Sequence, residues 1–457
     1  MTKKISTILG CIAGIIFISA ALTGCKSIIN SSKNKTQSTN DKLVKKTDIS
    51  DTQKTPDENM YNTILSNLGE INEYMAINNH SGLEFADWLY KKYGYSFIEK
   101  LSQSDDLKNY IYTNTGVTIY LLMDEFLGIN ECSKQINKSV GNANLVFAGD
   151  ICLTDSPTFV MDRFKQTNNI YDCIGNNIID LTNNADLFML NNEFSVSERG
   201  EPLKGKFYTF RANPSNLSIL DQLGTDIVSL ANNHVYDYGV DAFSDTLLNL
   251  SSHNIPYVGA GANIEEAEKP IYINVNGIKI GFISACNAEK NRFTPGATEN
   301  SPGIFLMYDH TDLINKCVDA SKRCDYLIAF LHWGNEDSKY YTNDQHNLAS
   351  ELINDGADAI IGAHPHVLQG MEYINGCPVV YSLGDFWFNS ETKYNGLISL
   401  DINSNGYVNM SIVPTIQSEF TTSKISNQEE LNKYRDYINS LSSGCSVDEN
   451  FNFITRN

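Results

Sequence analysis

The sequence predicts an α/β sandwich in which mixed sheets are flanked by helices, preceded by a small helical module. After residue 144, short apolar segments such as "NLVFAGD" alternate with segments of helical periodicity such as "PSNLSILDQLG". Two longer segments, "IYINVNGIKIGFISA" and "GLISLDINSNGYVNMSIVP", have the pattern of β-hairpins, and Asn276-Gly277 in the first is a strong hairpin signal. Strands interleaved with helices and hairpins indicate sheets with both parallel and antiparallel neighbours.

Composition and pattern divide the 457-residue chain into five segments. We expect a signal peptide at residues 1–25, a disordered tether at 26–58, a helical module at 59–140, the α/β domain at 141–415 and a C-terminal helical tail at 416–457. The tether contains no aromatic residue and few apolar ones, so it cannot bury enough surface to offset its chain entropy. The module has apolar residues at helical spacing and no cluster of catalytic residue types.

The N-terminal segment has the order of an export signal: Lys3 and Lys4, an apolar stretch, then small residues. Its end, "LTGC", resembles the bacterial lipobox, which implies lipidation of Cys25 and a membrane-anchored protein on the extracellular face of the cell membrane. An uncleaved N-terminal membrane anchor is the alternative and would give the same topology.

The formal net charge of -20 argues against a nucleic-acid-binding protein, because affinity for a phosphate backbone comes mainly from Lys and Arg. An anionic substrate would therefore need a local positive centre. The eight cysteines after Cys25 show no CxxC spacing, so no particular disulfide is predicted.

Polar side chains follow five predicted strands at the point where each strand ends. They are Asp150, Glu193, the run Asn232-Asn233-His234, His332, and the pair His364 and His366. In α/β sheets this carboxyl edge is where ligand sites form. Carboxylate, amide and imidazole groups suit Mn, Fe or Zn, and this many groups would serve one or two divalent ions.

Each of these residues alone has an ordinary explanation. Asp150 could form a turn or cap a helix, and His332 could be a hydrogen-bonded core residue. Five strand ends that carry only ligand-type residues are hard to explain in this way, so together they predict a metal site. Pro365 fixes a backbone angle between His364 and His366 and would hold both rings towards the metal.

The order of these blocks resembles the calcineurin-like metallophosphatases, and more closely the bacterial capsule-synthesis CapA family, which is associated with poly-γ-glutamate. The similarity runs over residues 144 to 415, through "FAGDI", "DIVSLANNHVYDYG", "AFLHWGNE" and "GADAIIGAHPHVLQG". It implies a metallophosphatase-like fold. It also implies a set of metal ligands, namely Asp150, Glu193, Asn233, His332, His364 and His366.

The resemblance further implies that His234 acts on the substrate and that Asp237 orients its imidazole. Metal ions would lower the pKa of a water molecule for attack, and His234 would protonate the leaving oxygen or nitrogen. Two departures leave the enzymatic activity open. Metallophosphatases begin with Asp-x-His, where this chain has Cys152, and their bridging Gly-Asp is replaced by Asn192-Glu193.

The segment "LKGKFYTFRANP" places Lys204, Lys206 and Arg211 between the second and third of these strands. Arg211 is the candidate for binding phosphate or polyglutamate carboxylates, and a solvated strand face is the alternative.

These observations predict a capsule-biosynthesis protein that acts on an anionic polymer or a phosphoester, with membrane capsule-synthase subunits as possible partners. A non-enzymatic polymer-binding or scaffold lipoprotein, and a secreted metal-dependent phosphoesterase unrelated to capsule, are the alternatives.

Overall fold

The structure is a computed structural model that describes residues 108, 112, 116–127, 131–139, 141–288, 293–404 and 406–456. The predicted signal peptide with Cys25, the tether and most of the helical module lie outside the described residues. The chain divides into two compact units, residues 1–130 and residues 131–457. In the first unit the structure describes helix α1, Ile119–Leu127. No described helix has both the length and the apolarity needed to cross a bilayer.

The second unit contains the remaining elements. Helices α2 to α9 are Val160–Thr167, Asn176–Asn184, Leu217–Gln222, Gly239–Ser252, Ile264–Ala267, Thr311–Ser321, Asn343–Asn354 and Gln428–Leu441. Strands β1 to β10 are Cys132–Ile136, Asn142–Ile151, Leu187–Asn192, Ser195–Val196, Arg211–Ala212, Ile227–Ser229, Tyr257–Val258, Ala260–Gly261, Ile271–Val275 and Ile278–Cys286. Strands β11 to β21 are Gly303–Ile304, Tyr326–His332, Ala359–Ala363, Met371–Ile374, Cys377–Val380, Asp385–Trp387, Lys393–Asn403, Gly406–Ser418, Thr421–Lys424, Cys445–Val447 and Phe453–Thr455.

Two large mixed sheets form the centre of this unit. One has seven strands in the order β1-β9-β10-β12-β13-β15-β14, and the other has eight, in the order β19-β18-β17-β2-β3-β6-β7 with β16 also paired to β2. β2, β3 and β6 are parallel to one another, as are β10, β12 and β13, while β17 and β9 add antiparallel pairs. The predicted α/β fold with mixed sheets flanked by helices is confirmed.

Helices cover one face of each sheet. Alternate residues of β2 and β3, such as Val146 and Phe188, share an apolar cluster with α3, α4 and α5. Alternate residues of β12, such as Leu327 and Leu331, share a second cluster with α7 and α8. The intervening residues, such as Phe147, are also fully buried, which places them between the two sheets.

Both predicted hairpins are present. β9 pairs antiparallel with β10, and the turn residues Asn276 and Gly277 have φ values of 54° and 83°, as a two-residue type I′ turn requires. β17 pairs antiparallel with β18.

Two segment boundaries differ from the sequence prediction. β1, Cys132–Ile136, lies within the residues that the sequence predicts as the helical module, but it pairs in parallel with β9 at the sheet edge. Its partner lies far along the chain, so local periodicity did not indicate it. The C-terminal tail contains helix α9 as expected, but also the short strands β19, β20 and β21.

A close backbone contact joins β2 to β16. The Asp150 amide donates to the Gly384 carbonyl oxygen at 3.0 Å, and Asp385 pairs with Asp150 in parallel register. A Cβ atom on Gly149 would lie 1.9 Å from that same carbonyl oxygen, so only glycine fits at this position. Two Gly-Asp dipeptides distant in sequence therefore lie side by side.

We expect Gly149→Ala to lower the free energy of unfolding by about 3 kcal/mol or more, because the added methyl group collides with backbone rather than with a movable side chain. Urea denaturation of the full-length chain measures this change. Gly205→Ala is the matched control: Gly205 has a φ of 82° but no atom within 4 Å of the added Cβ. It should cost only the left-handed backbone penalty of about 1–2 kcal/mol. Equal losses of unfolding free energy in the two variants would contradict the close contact between Gly149 and the Gly384 carbonyl oxygen.

Candidate metal centre

The carboxyl ends of strands from both large sheets meet at one place. β2, β3 and β6 of the eight-stranded sheet and β12 and β13 of the seven-stranded sheet end there. This arrangement brings together all six predicted ligand residues, Asp150, Glu193, Asn233, His332, His364 and His366. The first five of these are buried, and the His366 side chain is 17% exposed.

One cluster of metal-ligand type consists of Glu193, His332 and His364, whose ligand atoms lie within 4.8 Å of one another. Glu193 Oε1 is 3.7 Å from His332 Nε2 and 3.7 Å from His366 Nε2. These separations are too long for hydrogen bonds. They match the span of two metal–ligand bonds of ~2.0–2.2 Å that meet at an ion.

The second cluster consists of Asp150, His366 and Asp385. His366 Nδ1 lies 2.7 Å from Asp385 Oδ1 and 3.5 Å from Asp150 Oδ2. Asp385 is a site residue that the sequence prediction missed. A Gly-Asp after an apolar segment also marks many turns, and the only usable signal was its likeness to Gly149-Asp150.

Unpaired buried atoms test whether the site fits metal ions. Among the described residues, Glu193 Oε1, His364 Nδ1 and Asp385 Oδ2 are buried and make no hydrogen bond. Buried polar atoms are rarely left in this state. Carboxylate and imidazole donors suit Mn, Fe or Zn, so both clusters could hold a divalent ion.

The protonation equilibria of the clusters agree with this interpretation. Burial raises the pKa of Asp150, and it raises that of Glu193 well above the ordinary value, because a carboxylate without water is costly. Burial holds the pKa values of His332 and His364 well below the ordinary range, so both rings stay neutral. Neutral imidazole is the form that binds metal, and a cation would offset the buried carboxylates.

His366 differs from the other two histidines. Burial lowers its pKa, but the surrounding carboxylates of Asp385, Glu193 and Asp150 outweigh burial and raise it well above the ordinary value. The Asp385 contact at Nδ1 leaves Nε2 directed at Glu193. Such a carboxylate–imidazole pair is the usual way in which a protein orients a metal-binding histidine.

The "HPH" turn is strained. His364 and His366 have φ values of 99° and 56°, although a residue before proline normally adopts an extended conformation. Each such backbone angle costs about 1–3 kcal/mol and persists only where surrounding contacts enforce it. Here the His364 amide donates to Asp150 Oδ2 at 3.2 Å, and the Asp337 amide donates to the Pro365 carbonyl oxygen at 2.9 Å.

Two asparagines tie ligands of the clusters to one another. Asn191 Nδ2 donates to Asp150 Oδ1 at 2.7 Å and lies 3.2 Å from His332 Nδ1. Asn233 Oδ1 lies 2.9 Å from His332 Nε2, so this predicted ligand is at the edge of the first cluster. The sequence prediction missed the role of Asn191.

His234 lies beside the clusters rather than within either. Its Nδ1 is 2.7 Å from Asp237 Oδ2, and its Nε2 is 4.0 Å from Glu193 Oε1. Asp237 Oδ2 also accepts the Phe210 amide at 2.7 Å. Burial lowers the pKa of His234, although Asp237 opposes this effect.

Lys206 is a buried lysine that lies in this site. Its side chain is 4% exposed, and its Nζ lies 2.8 Å from Asp237 Oδ1 and also contacts the Asn233 carbonyl oxygen. Arg211, the predicted anion-binding residue, donates from Nη1 to the carbonyl oxygens of Arg199 at 2.9 Å and Gly200 at 2.8 Å. The binding of phosphate or polyglutamate carboxylates by Arg211 stays a prediction.

Cys152 belongs to neither cluster. It is fully buried and shares the apolar core beside β2. Burial raises the pKa of its thiol well above the ordinary value, and a protonated thiol is a poor metal ligand. The second cluster therefore draws on Asp385 rather than on a thiolate. The structure shows no disulfide bond among the eight described cysteines.

A family profile described as "Bacterial capsule synthesis protein PGA_cap" matches residues 144–390, more than half of the chain. The PGA biosynthesis protein CapA of Bacillus subtilis is 32% identical over 219 residues, which are 47% of this chain and 57% of that protein. The capsule biosynthesis protein CapA of Bacillus anthracis is 30% identical over 244 residues, 51% and 58% of the two chains. The chain thus spans little more than half the length of the curated relatives it matches.

Solved structures give weaker likenesses. A putative 5'-nucleotidase of Staphylococcus aureus aligns at 14% identity with a TM-score of 0.37, covering 65% of this chain and 58% of that one. The 5'-nucleotidase of Candida albicans aligns at 14% identity with a TM-score of 0.34, covering 69% and 56%. Likenesses of this size carry no functional information.

We expect Asp385→Asn to weaken the binding of Mn²⁺ at the second cluster by about 100-fold, because the amide removes a carboxylate and alters the orientation of His366. Titration of the full-length chain in detergent with Mn²⁺ measures the affinity, and elemental analysis measures the stoichiometry. Asp436→Asn, at an exposed position of α9, is the control and should leave both the affinity and the stoichiometry unchanged. If Asp385→Asn binds as the unmodified chain does, Asp385 is neither a ligand nor an orienting residue.

Proposed function

The chain belongs to the bacterial capsule synthesis protein family PGA_cap, and on that premise we propose that it takes part in the synthesis, export or attachment of a capsule polymer such as poly-γ-glutamate. We propose further that it does so as a metal-dependent hydrolase with two divalent ions, Mn, Fe or Zn. The names of its relatives, which refer to capsule and polyglutamate synthesis, support the polymer.

One observation carries the hydrolase proposal. Glu193 Oε1 is buried without a hydrogen bond among the described residues, and it faces the Nε2 atoms of His332 and His366, each 3.7 Å away. One of these rings belongs to each cluster, so Glu193 would help to hold a divalent ion at either of them. Paired divalent ions supply the chemistry of many hydrolytic sites.

Different residues of the chain would have different roles in the hydrolysis. When bound, the divalent ions supply Lewis acidity that activates water and offsets negative charge on the substrate. His234 Nδ1–H donates to Asp237, so Nε2 is the atom left to exchange a proton with the leaving group. Burial lowers the pKa of His234, which favours release of that proton. Lys206 and the Phe210 amide fix the carboxylate of Asp237.

We propose that this site works at the extracellular face of the cell membrane, held there by a lipidated Cys25. The order of a basic start, an apolar stretch and "LTGC" supports the anchor. The polar residues of the tether would let the folded unit reach a polymer that emerges from membrane synthase subunits, which we propose as its partners.

Elemental analysis tests the metal centre. The full-length chain, purified in detergent and loaded with Mn²⁺, is expected to retain about two ions per chain. A His332→Ala variant should retain fewer, because His332 lies in the first cluster and contacts Asn233. Absence of bound metal from the unmodified chain would overturn the hydrolase proposal.

His234→Ala tests whether the site is catalytic. We expect about 100-fold or greater loss of hydrolysis of a γ-linked glutamate polymer, with unchanged metal content, because His234 belongs to neither cluster. His253→Ala is the matched control, since His253 also contacts an aspartate, at 3.3 Å, but on the surface. Full capsule formation by cells carrying His234→Ala would favour a non-enzymatic scaffold. Cleavage of only a generic aryl phosphate would favour a phosphoesterase.

A further inference from the structure

One loop next to the metal centre has a composition unlike that of the whole chain. Residues 203–210, "LKGKFYTF", which we term the site loop, contain two lysines, three aromatic residues and no acidic residue. The chain as a whole carries a net charge of -20. Aromatic rings can stack on flat groups and a lysine can pair with an anion, so the loop has the side chains to bind a ligand with both features.

Both ends of the site loop are fixed to the residue that holds His234. The Leu203 amide donates to the Asp237 carbonyl oxygen at 2.9 Å, and the Phe210 amide donates to Asp237 Oδ2 at 2.7 Å. Between them Lys206 reaches Asp237 Oδ1 at 2.8 Å. The loop is thus held in place relative to the candidate centre.

The tip of the site loop presents rings to solvent. Phe207 is 89% exposed and Tyr208 is 59% exposed, and their ring centroids are 4.7 Å apart. Phe207 is the most exposed large hydrophobic residue in the described part of the chain. Folding alone does not account for it, because an exposed ring adds almost nothing to the stability of the fold.

The exposed rings continue inwards as an aromatic row. Tyr208 stacks on Phe210 with centroids 6.4 Å apart, and Phe210 lies 4.3 Å from the His234 ring. Phe210 also contacts Phe388 at 5.5 Å, and Phe388 lies 4.8 Å from the His366 ring. The row therefore runs from solvent to the His234 and His366 rings.

We propose that the site loop is the binding lip for a polyamide chain with carboxylate side groups, and specifically for poly-γ-glutamate. This proposal rests on the proposed function. It adds the segment that binds the part of the polymer away from the bond that is cleaved. Amide planes would stack on Phe207 and Tyr208, while the exposed ammonium of Lys204 pairs with a carboxylate. Continuity of the row with His234 favours a substrate over a separate protein partner.

Fluorescence anisotropy of a labelled γ-linked glutamate decamer with the Mn²⁺-loaded full-length chain tests the lip. The double variant Phe207→Ala/Tyr208→Ala should bind the decamer about tenfold or more weakly, because two stacking surfaces are lost. Its metal content should match that of the unmodified chain, because neither residue lies in a cluster. Lys204→Gln should lower affinity severalfold at low salt and little at high salt.

Tyr171→Ala is the matched control, because Tyr171 is 53% exposed and is not part of the aromatic row. It should bind the decamer as the unmodified chain does. If the double variant binds the decamer as tightly as the unmodified chain does, the proposed role of the site loop in polymer binding is wrong, while the hydrolase proposal stands. If the metal-loaded unmodified chain does not bind the decamer, the polymer assignment of the lip is overturned, whereas the metal centre is judged separately by elemental analysis.

Discussion

The enclosure of three carboxyl groups at one place is the constraint on which the rest of this structure depends. Glu193 is fully enclosed, and its Oε1 receives no hydrogen bond from the described residues. Asp150 and Asp385 are enclosed beside it. An unpaired carboxylate inside a protein costs several kcal/mol, so such a group persists only where something compensates it. The imidazoles of His332 and His364 are neutral, and together with Glu193 they could hold a divalent cation.

The rigidity of the surrounding fold keeps this arrangement in place. The candidate ligands lie at or near the ends of strands in two sheets. The strands β2, β3, β6, β12 and β13 each have a neighbour on both sides, and β16 pairs with β2. The Gly149 contact aligns two strands closely enough for both aspartates to share one edge. The turn at His364 and His366 has an unfavourable backbone conformation with positive φ angles, and the surrounding contacts hold both imidazole rings in the site.

Much of the fold and part of the site could be predicted from the sequence, because strand ends and Asn-Gly turns are local patterns. The convergence of Asp150 and Glu193 follows from the rule that parallel strands of one sheet share a carboxyl edge, whereas His332 ends a strand of the other sheet. Asp385 could not be predicted in this way, since its place depends on a strand pairing with distant residues. Lys206 and Arg211 lie in one basic segment, and linear order does not tell which side chain turns inwards.

The distance in sequence between Asp150 and Asp385 has a consequence for biosynthesis. Because ligands of one cluster lie near the beginning and near the end of the α/β domain, no fragment that stops before β16 contains the whole centre. A divalent ion that binds through all three residues of this cluster could then be held only after the strands beyond residue 380 have been synthesised and have docked. On the proposed function, the compartment where folding is completed would decide which metal ion occupies the centre.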